Sequence, residues 1–98
     1  MKVNIQAVNF NVDRKLVDFI NERMLKVGKF YDKVISVDVF LKVENTNEKE
    51  NKTVEVKLLV PGDDIVAKKT CKTFEEGVDL GADAIERMVV KYKEKMKA

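Results

Sequence analysis

Ile35, Val37, Val39, Leu41 and Val43 are apolar at every second position, with Ser36, Asp38, Phe40 and Lys42 between them. A β-strand has a side-chain period of two, so this run sends one set of residues to a buried face and the other toward solvent. Val54, Val56, Leu58 and Val60 repeat the pattern. The stretch from Glu44 to Lys52 that separates the two runs is polar throughout. It reads as a mobile hairpin connection longer than the tight-turn optimum. Pro61-Gly62-Asp63-Asp64 supplies the next turn, and Ile65 to Cys71 forms a further strand with Ile65, Ala67 and Cys71 on one face. Three alternating runs in succession favour an antiparallel meander whose apolar face needs a cover.

The rest of the chain supplies that cover. Val3, Ile5 and Ala7 alternate with Asn4 and Gln6, which predicts a short first strand ending near Asn9 to Asn11. Leu16, Ile20, Met24, Val27 and Tyr31, widened by Phe19 and Phe30, recur at helical spacing and predict a helix from about Asp13, its N-cap, to Lys29. Thr73-Phe74-Glu75-Glu76 is a capping-box sequence. Phe74, Val78, Ala82, Ile85, Val89, Tyr92 and Met96 continue it as a helix of about six turns. The predicted order is β-α-β-β-β-α. This is an α+β, two-layer sandwich: a four-stranded sheet with both helices on one face. At 98 residues, without repeat, linker or low-complexity tract, the chain is expected to be one domain.

Composition excludes much chemistry. There is no His and one Cys, Cys71, which leaves no Cys/His zinc site, no Ser-His-Asp or Cys-His nucleophile and no internal disulfide. No apolar stretch approaches the ~18–20 residues that span a bilayer, and residues 1–6 lack the apolar core of a secretion signal. The expectation is a soluble, cytoplasmic protein with no membrane partner, small-molecule substrate, cofactor or metal.

The net charge is only +2, so any electrostatic message lies in distribution. Thr73 to Arg87 holds five acids and one base, whereas Val89 to Ala98 holds four lysines and one glutamate. Macrodipole complementarity explains those signs but not the density. Lys91, Lys93, Lys95 and Lys97 fall on every second residue and splay around the helix, with only Glu94 to neutralise them. In the first helix Arg23, Lys26, Lys29 and Lys33 are spaced as one exposed basic stripe. Two such ridges suit backbone phosphates, and they also suit an ordinary solvated surface. The outer sheet face carries Lys42, Lys57, Lys68 and Lys72 with Phe40, Leu59 and Val66 among them. That face is a rival surface for a protein-interaction module that binds no RNA.

Catalytic candidates are weak. Asp63-Asp64 lacks the alternating oxygen ligands of a calcium loop and reads as a turn. Glu75-Glu76 is explained by capping, and Cys71 reads as a small core residue. Gly77 and Gly81 read as close-packing positions, because no strand and Gly-rich turn precede them as in a phosphate loop.

Phe30-Tyr31-Asp32-Lys33-Val34 leads into Val37-Asp38-Val39-Phe40-Leu41-Lys42-Val43-Glu44. Later come Gly77-Val78-Asp79, Arg87 and Lys91-Tyr92-Lys93-Glu94-Lys95. In this order, and over nearly the whole chain, these segments resemble the short ribosome hibernation-promoting factors and the related ribosome-associated inhibitor of bacteria. The resemblance implies a non-enzymatic protein that lodges in the decoding region of the small ribosomal subunit. There it would block messenger and transfer RNA during starvation or stationary phase. It also implies that Arg23, Lys26, Lys29, Arg87, Lys91, Lys93 and Lys95 contact ribosomal RNA; the charge map adds Lys33. Family members often carry Ala where Gly77 stands and Gln where Met88 stands. Long members add a dimerising domain, whereas this sequence stops at Lys97-Ala98, so ribosome dimers would need a separate dimerising factor or contacts between the ribosomes themselves.

Overall fold

The computed structural model describes residues 1–97. Six elements follow one another as β1 (Lys2–Val8), α1 (Arg14–Phe30), β2 (Ser36–Val43), β3 (Lys52–Val60), β4 (Asp63–Cys71) and α2 (Phe74–Lys97). The sheet order is β1-β2-β3-β4, with β2, β3 and β4 antiparallel and β1 parallel to β2. Parallel neighbours need a crossover, and α1 is that crossover. The expected order, sheet and two-helix cover are therefore all present.

Register builds the core row by row. Val3, Val37, Leu58 and Ile65 lie side by side, followed by Ile5, Val39, Val56 and Ala67. Leu16, Ile20, Met24 and Val27 of α1 and Val78, Ala82, Ile85 and Val89 of α2 close over them. Gly77 and Gly81 allow the close approach of α2: a Cβ at Gly77 would lie 2.6 Å from Val54 Cγ2, and one at Gly81 3.2 Å from Val56 Cγ2.

Caps and turns set the boundaries. The Asp13 carboxylate accepts from Leu16 N at 2.8 Å to start α1, and the Thr73 hydroxyl accepts from Glu76 N at 3.1 Å to start α2. Phe10 stacks on Phe74 at 4.9 Å, tying the β1–α1 connection to the start of α2. Asn9 ends β1 at φ 65°, a left-handed conformation that Asn tolerates.

Four local expectations need correction. The turn is Pro61-Gly62 alone, with Gly62 at φ 80°, and Asp63 and Asp64 already belong to β4. Asp64 pairs with Lys57 at 3.4 Å. Ile35 and Val43, at the ends of the alternating run, are 52% and 40% exposed, so the buried stretch of the run is Val37, Val39 and Leu41. Met96 is 62% exposed. The 24-residue α2 is about 36 Å long, and its buried positions end at Val89 with Tyr92 half-buried, so its last turns project beyond the core.

Candidate nucleic-acid interface

Arg23 does not lie on the exposed basic stripe. Its side chain is only 14% exposed and turns toward α2, reaching Asp79 at 3.5 Å, Asp83 at 2.9 Å and Glu86 at 3.1 Å. Asp79, Asp83 and Glu86 are four and then three residues apart, which puts them on one helical face. Hydrogen bonding to Glu86, outweighing the opposing effect of burial, holds the guanidinium pKa above its ordinary value. Three of the acids ascribed to the α2 macrodipole thus serve as a clasp between the helices.

The α1 ridge begins one turn later. Lys26 and Lys29 are exposed on α1. Tyr31 then adopts an extended backbone and ends the helix, so Lys33 stands on the connection to β2 rather than on the stripe. Lys33, Tyr31, Lys93 and Met96 line an open groove of about 200 Å³. The Lys93 ammonium sits 5.9 Å from the Phe30 ring centre and 5.8 Å from that of Tyr31. These cation–π contacts hold a lysine of α2 against the end of α1. Tyr31 meets Tyr92 edge-on at 6.1 Å, and the Tyr92 hydroxyl donates to the Pro61 carbonyl at 3.2 Å.

The other basic residues of α2 face the opposite way. Lys91 and Lys95 flank Tyr92 over the start of β4, in a shallow groove that includes Ile65, Val66 and Met88. Arg87 and Lys91 face Lys69 of β4. The predicted splay of the lysines is therefore a division between two flanks of one helix. The side chain of Lys97 lies outside the described residues. Among those described, none of Lys26, Lys29, Lys33, Arg87, Lys91, Lys93 and Lys95 pairs with an acid.

On the outer sheet face, Lys57 is paired with Asp64 and Lys42 with Glu44 at 3.8 Å. Phe40 lies between Gln6 and Glu55, and Val66 lies beside Lys57. The apolar residues there are interspersed with charge: Leu59 pairs with Asp64, and Phe40 shares a groove with Val8, Lys42, Glu55 and Lys68. No cluster of three or more His, Cys, Asp or Glu among the described residues is arranged to hold a metal ion. No described helix is long and apolar enough to cross a membrane.

Residues 3–97 match the family described as Sigma 54 modulation protein / S30EA ribosomal protein. The chain belongs to this family. Similar proteins carry the name ribosome hibernation promoting factor. That of Pseudomonas putida is 33% identical over 98 residues, covering 100% of this chain and 92% of its own. That of Escherichia coli is 27% identical over 97 residues, covering 99% and 98%. A ribosomal subunit interface protein from Coxiella burnetii superposes with a TM-score of 0.84 at 18% identity, over 96% of this chain and 99% of the other. The N-terminal domain of Protein Y from Thermus thermophilus gives 0.79 at 14%, over 94% and 99%. At those identities the two structures speak for the fold alone.

Proposed function

We propose that the chain, acting as one ribosome-binding domain, is a non-enzymatic ribosome hibernation factor of the bacterial cytoplasm. It occupies the decoding region of the small ribosomal subunit, excludes messenger and transfer RNA, and so inhibits translation under stress or in stationary phase. The observation that carries this reading is the end of α2, which projects beyond the core with unpaired cations on both flanks. Its family membership and relatives named as ribosome hibernation promoting factors support the ribosome as partner.

Lys26, Lys29, Lys33 and Lys93 meet phosphates on one flank and Arg87, Lys91 and Lys95 on the other, whereas Arg23 holds the two helices in register. Lysine is a flexible point charge and few aromatic rings are free to stack, so recognition is of phosphates and RNA shape rather than base edges. Each neutralised phosphate releases counterions, and affinity then falls steeply with salt. A separate dimerising factor would act on the ribosomes that this domain has silenced. The sheet face is a poorer candidate, since Lys42 and Lys57 are already paired there.

Replacing Lys91, Lys93 and Lys95 together with Glu tests the reading. Retention on small subunits should be lost at every salt concentration while the circular dichroism spectrum stays native, although melting falls somewhat because Lys93 gives up its contacts with Phe30 and Tyr31. Undiminished retention would refute it.

A further inference from the structure

Lys69 occupies a row that should be apolar. Register sets it beside Val54, Leu41 and Ala7 on the helix-covered face of the sheet, where the neighbouring β4 residues Ile65, Ala67 and Cys71 are buried. Because β4 is the edge strand, the lysine stem can run along the rim and keep its ammonium in solvent. It emerges in a groove of about 260 Å³ between β4 and α2, lined by Lys69, Ala84, Arg87, Met88 and Lys91. Ala84 is small and buried, which leaves the space between the three bases open.

No acid lines this groove, and among the described residues none of its three bases has an acidic partner. Other bases of the fold, such as Lys26 and Lys93, are also without an acid among the described residues, but here three bases line one small space, whereas Arg23 has three acids and Lys42 and Lys57 have one each. Like charges around one space repel, and an entering anion relieves that repulsion. Arg87 brings a planar fork suited to two phosphate oxygens, and the lysines bring a point charge on either side.

We infer that this groove seats a backbone phosphate of ribosomal RNA, with Lys69 as a contact residue of β4 beside Arg87 and Lys91. The inference rests on the ribosome-binding reading. It places one RNA contact on the sheet and so fixes the roll of α2 against the RNA.

The test compares wild type with Lys69→Gln and Lys68→Gln in binding to purified small ribosomal subunits across a salt series. Lys68 carries the same charge one residue away, but on the other face of the strand. Lys69→Gln should lower affinity about tenfold at low salt and make the slope of log affinity against log salt shallower by about 1. Lys68→Gln should change neither, and Lys69→Arg should restore the slope, which separates charge from folding. A wild-type slope in Lys69→Gln would overturn the phosphate seat and leave ribosome binding standing. Failure of wild type to bind would overturn both. A parallel titration with inorganic phosphate follows the amide resonances of Lys69 and Ala84. Saturation at micromolar phosphate, with the ribosome slope unmoved by Lys69→Gln, would assign the groove to a free anion and overturn the RNA assignment.

Discussion

Arg23 of α1 donates to both carboxylate oxygens of Glu86 on α2, at 3.1 and 3.2 Å, and this forked pair sets how the two basic flanks stand relative to each other. Removing the guanidinium leaves Asp79, Asp83 and Glu86 facing one another with no counter-charge. Asp79 and Asp83 remain more than half exposed, so solvent moderates the cost. Arg23→Gln should destabilise the fold by about 1–2 kcal/mol in urea unfolding. Under conditions where the variant remains folded, its ribosome salt slope should match wild type, because Arg23 meets carboxylates rather than phosphates. Lys26→Gln should do the reverse, making the slope shallower with stability unchanged. A shallower slope in Arg23→Gln would return Arg23 to the RNA surface.

Gly77 and Val54 define the closest approach of α2 to the sheet. An Ala at 77 would gain up to about 1 kcal/mol in helix propensity. Its Cβ, however, would meet the fully buried, β-branched Val54 at 2.6 Å, and overpacking of that kind costs about 1–3 kcal/mol. Gly77→Ala should therefore be destabilising on balance. Pairing it with Val54→Ala should cost less than the sum of the two single changes, measured by a double-mutant cycle. Simple additivity would show that the two positions do not press on each other.

Cys71 is 4% exposed, and burial, followed by the nearby Glu76 carboxylate, pushes its thiol pKa up. In the unfolded chain the thiol ionises at its ordinary value, while the folded protein keeps the proton to higher pH. Between those two values the folded state holds more protons, so stability falls as pH rises through that window. The stability difference between wild type and Cys71→Ala should be constant below the ordinary thiol value and shift against wild type above it. Chemical denaturation across that range measures this, and a flat difference would contradict the burial account. Iodoacetamide should label the native protein slowly and the unfolded chain readily.

The strands were readable because alternation reports which side faces the core. It does not report where along the strand burial stops, and Ile35 and Val43 fit the pattern yet lie exposed. Nor does it say which strand neighbours which: the pairing of β1 with β2 depends on where α1 returns the chain. The basic residues are visible as charge, but spacing alone puts Arg23 on the exposed stripe, because its acidic partners lie about 60 positions away in the chain. The stripe of Asp79, Asp83 and Glu86 was the signal that pointed to a cation facing it. Lys69 falls in the same register as the buried Ile65, Ala67 and Cys71, and a lysine in an apolar register is itself the clue.

Sedimentation with intact ribosomes through sucrose, across a salt series and against mRNA-programmed, tRNA-filled ribosomes, tests occupancy of the decoding region. With such occupancy the protein should travel with empty ribosomes at low salt, dissociate steeply as salt rises, and be excluded when messenger and transfer RNA are already in place. No co-sedimentation at low salt, or binding that ignores both salt and competitor, would contradict it.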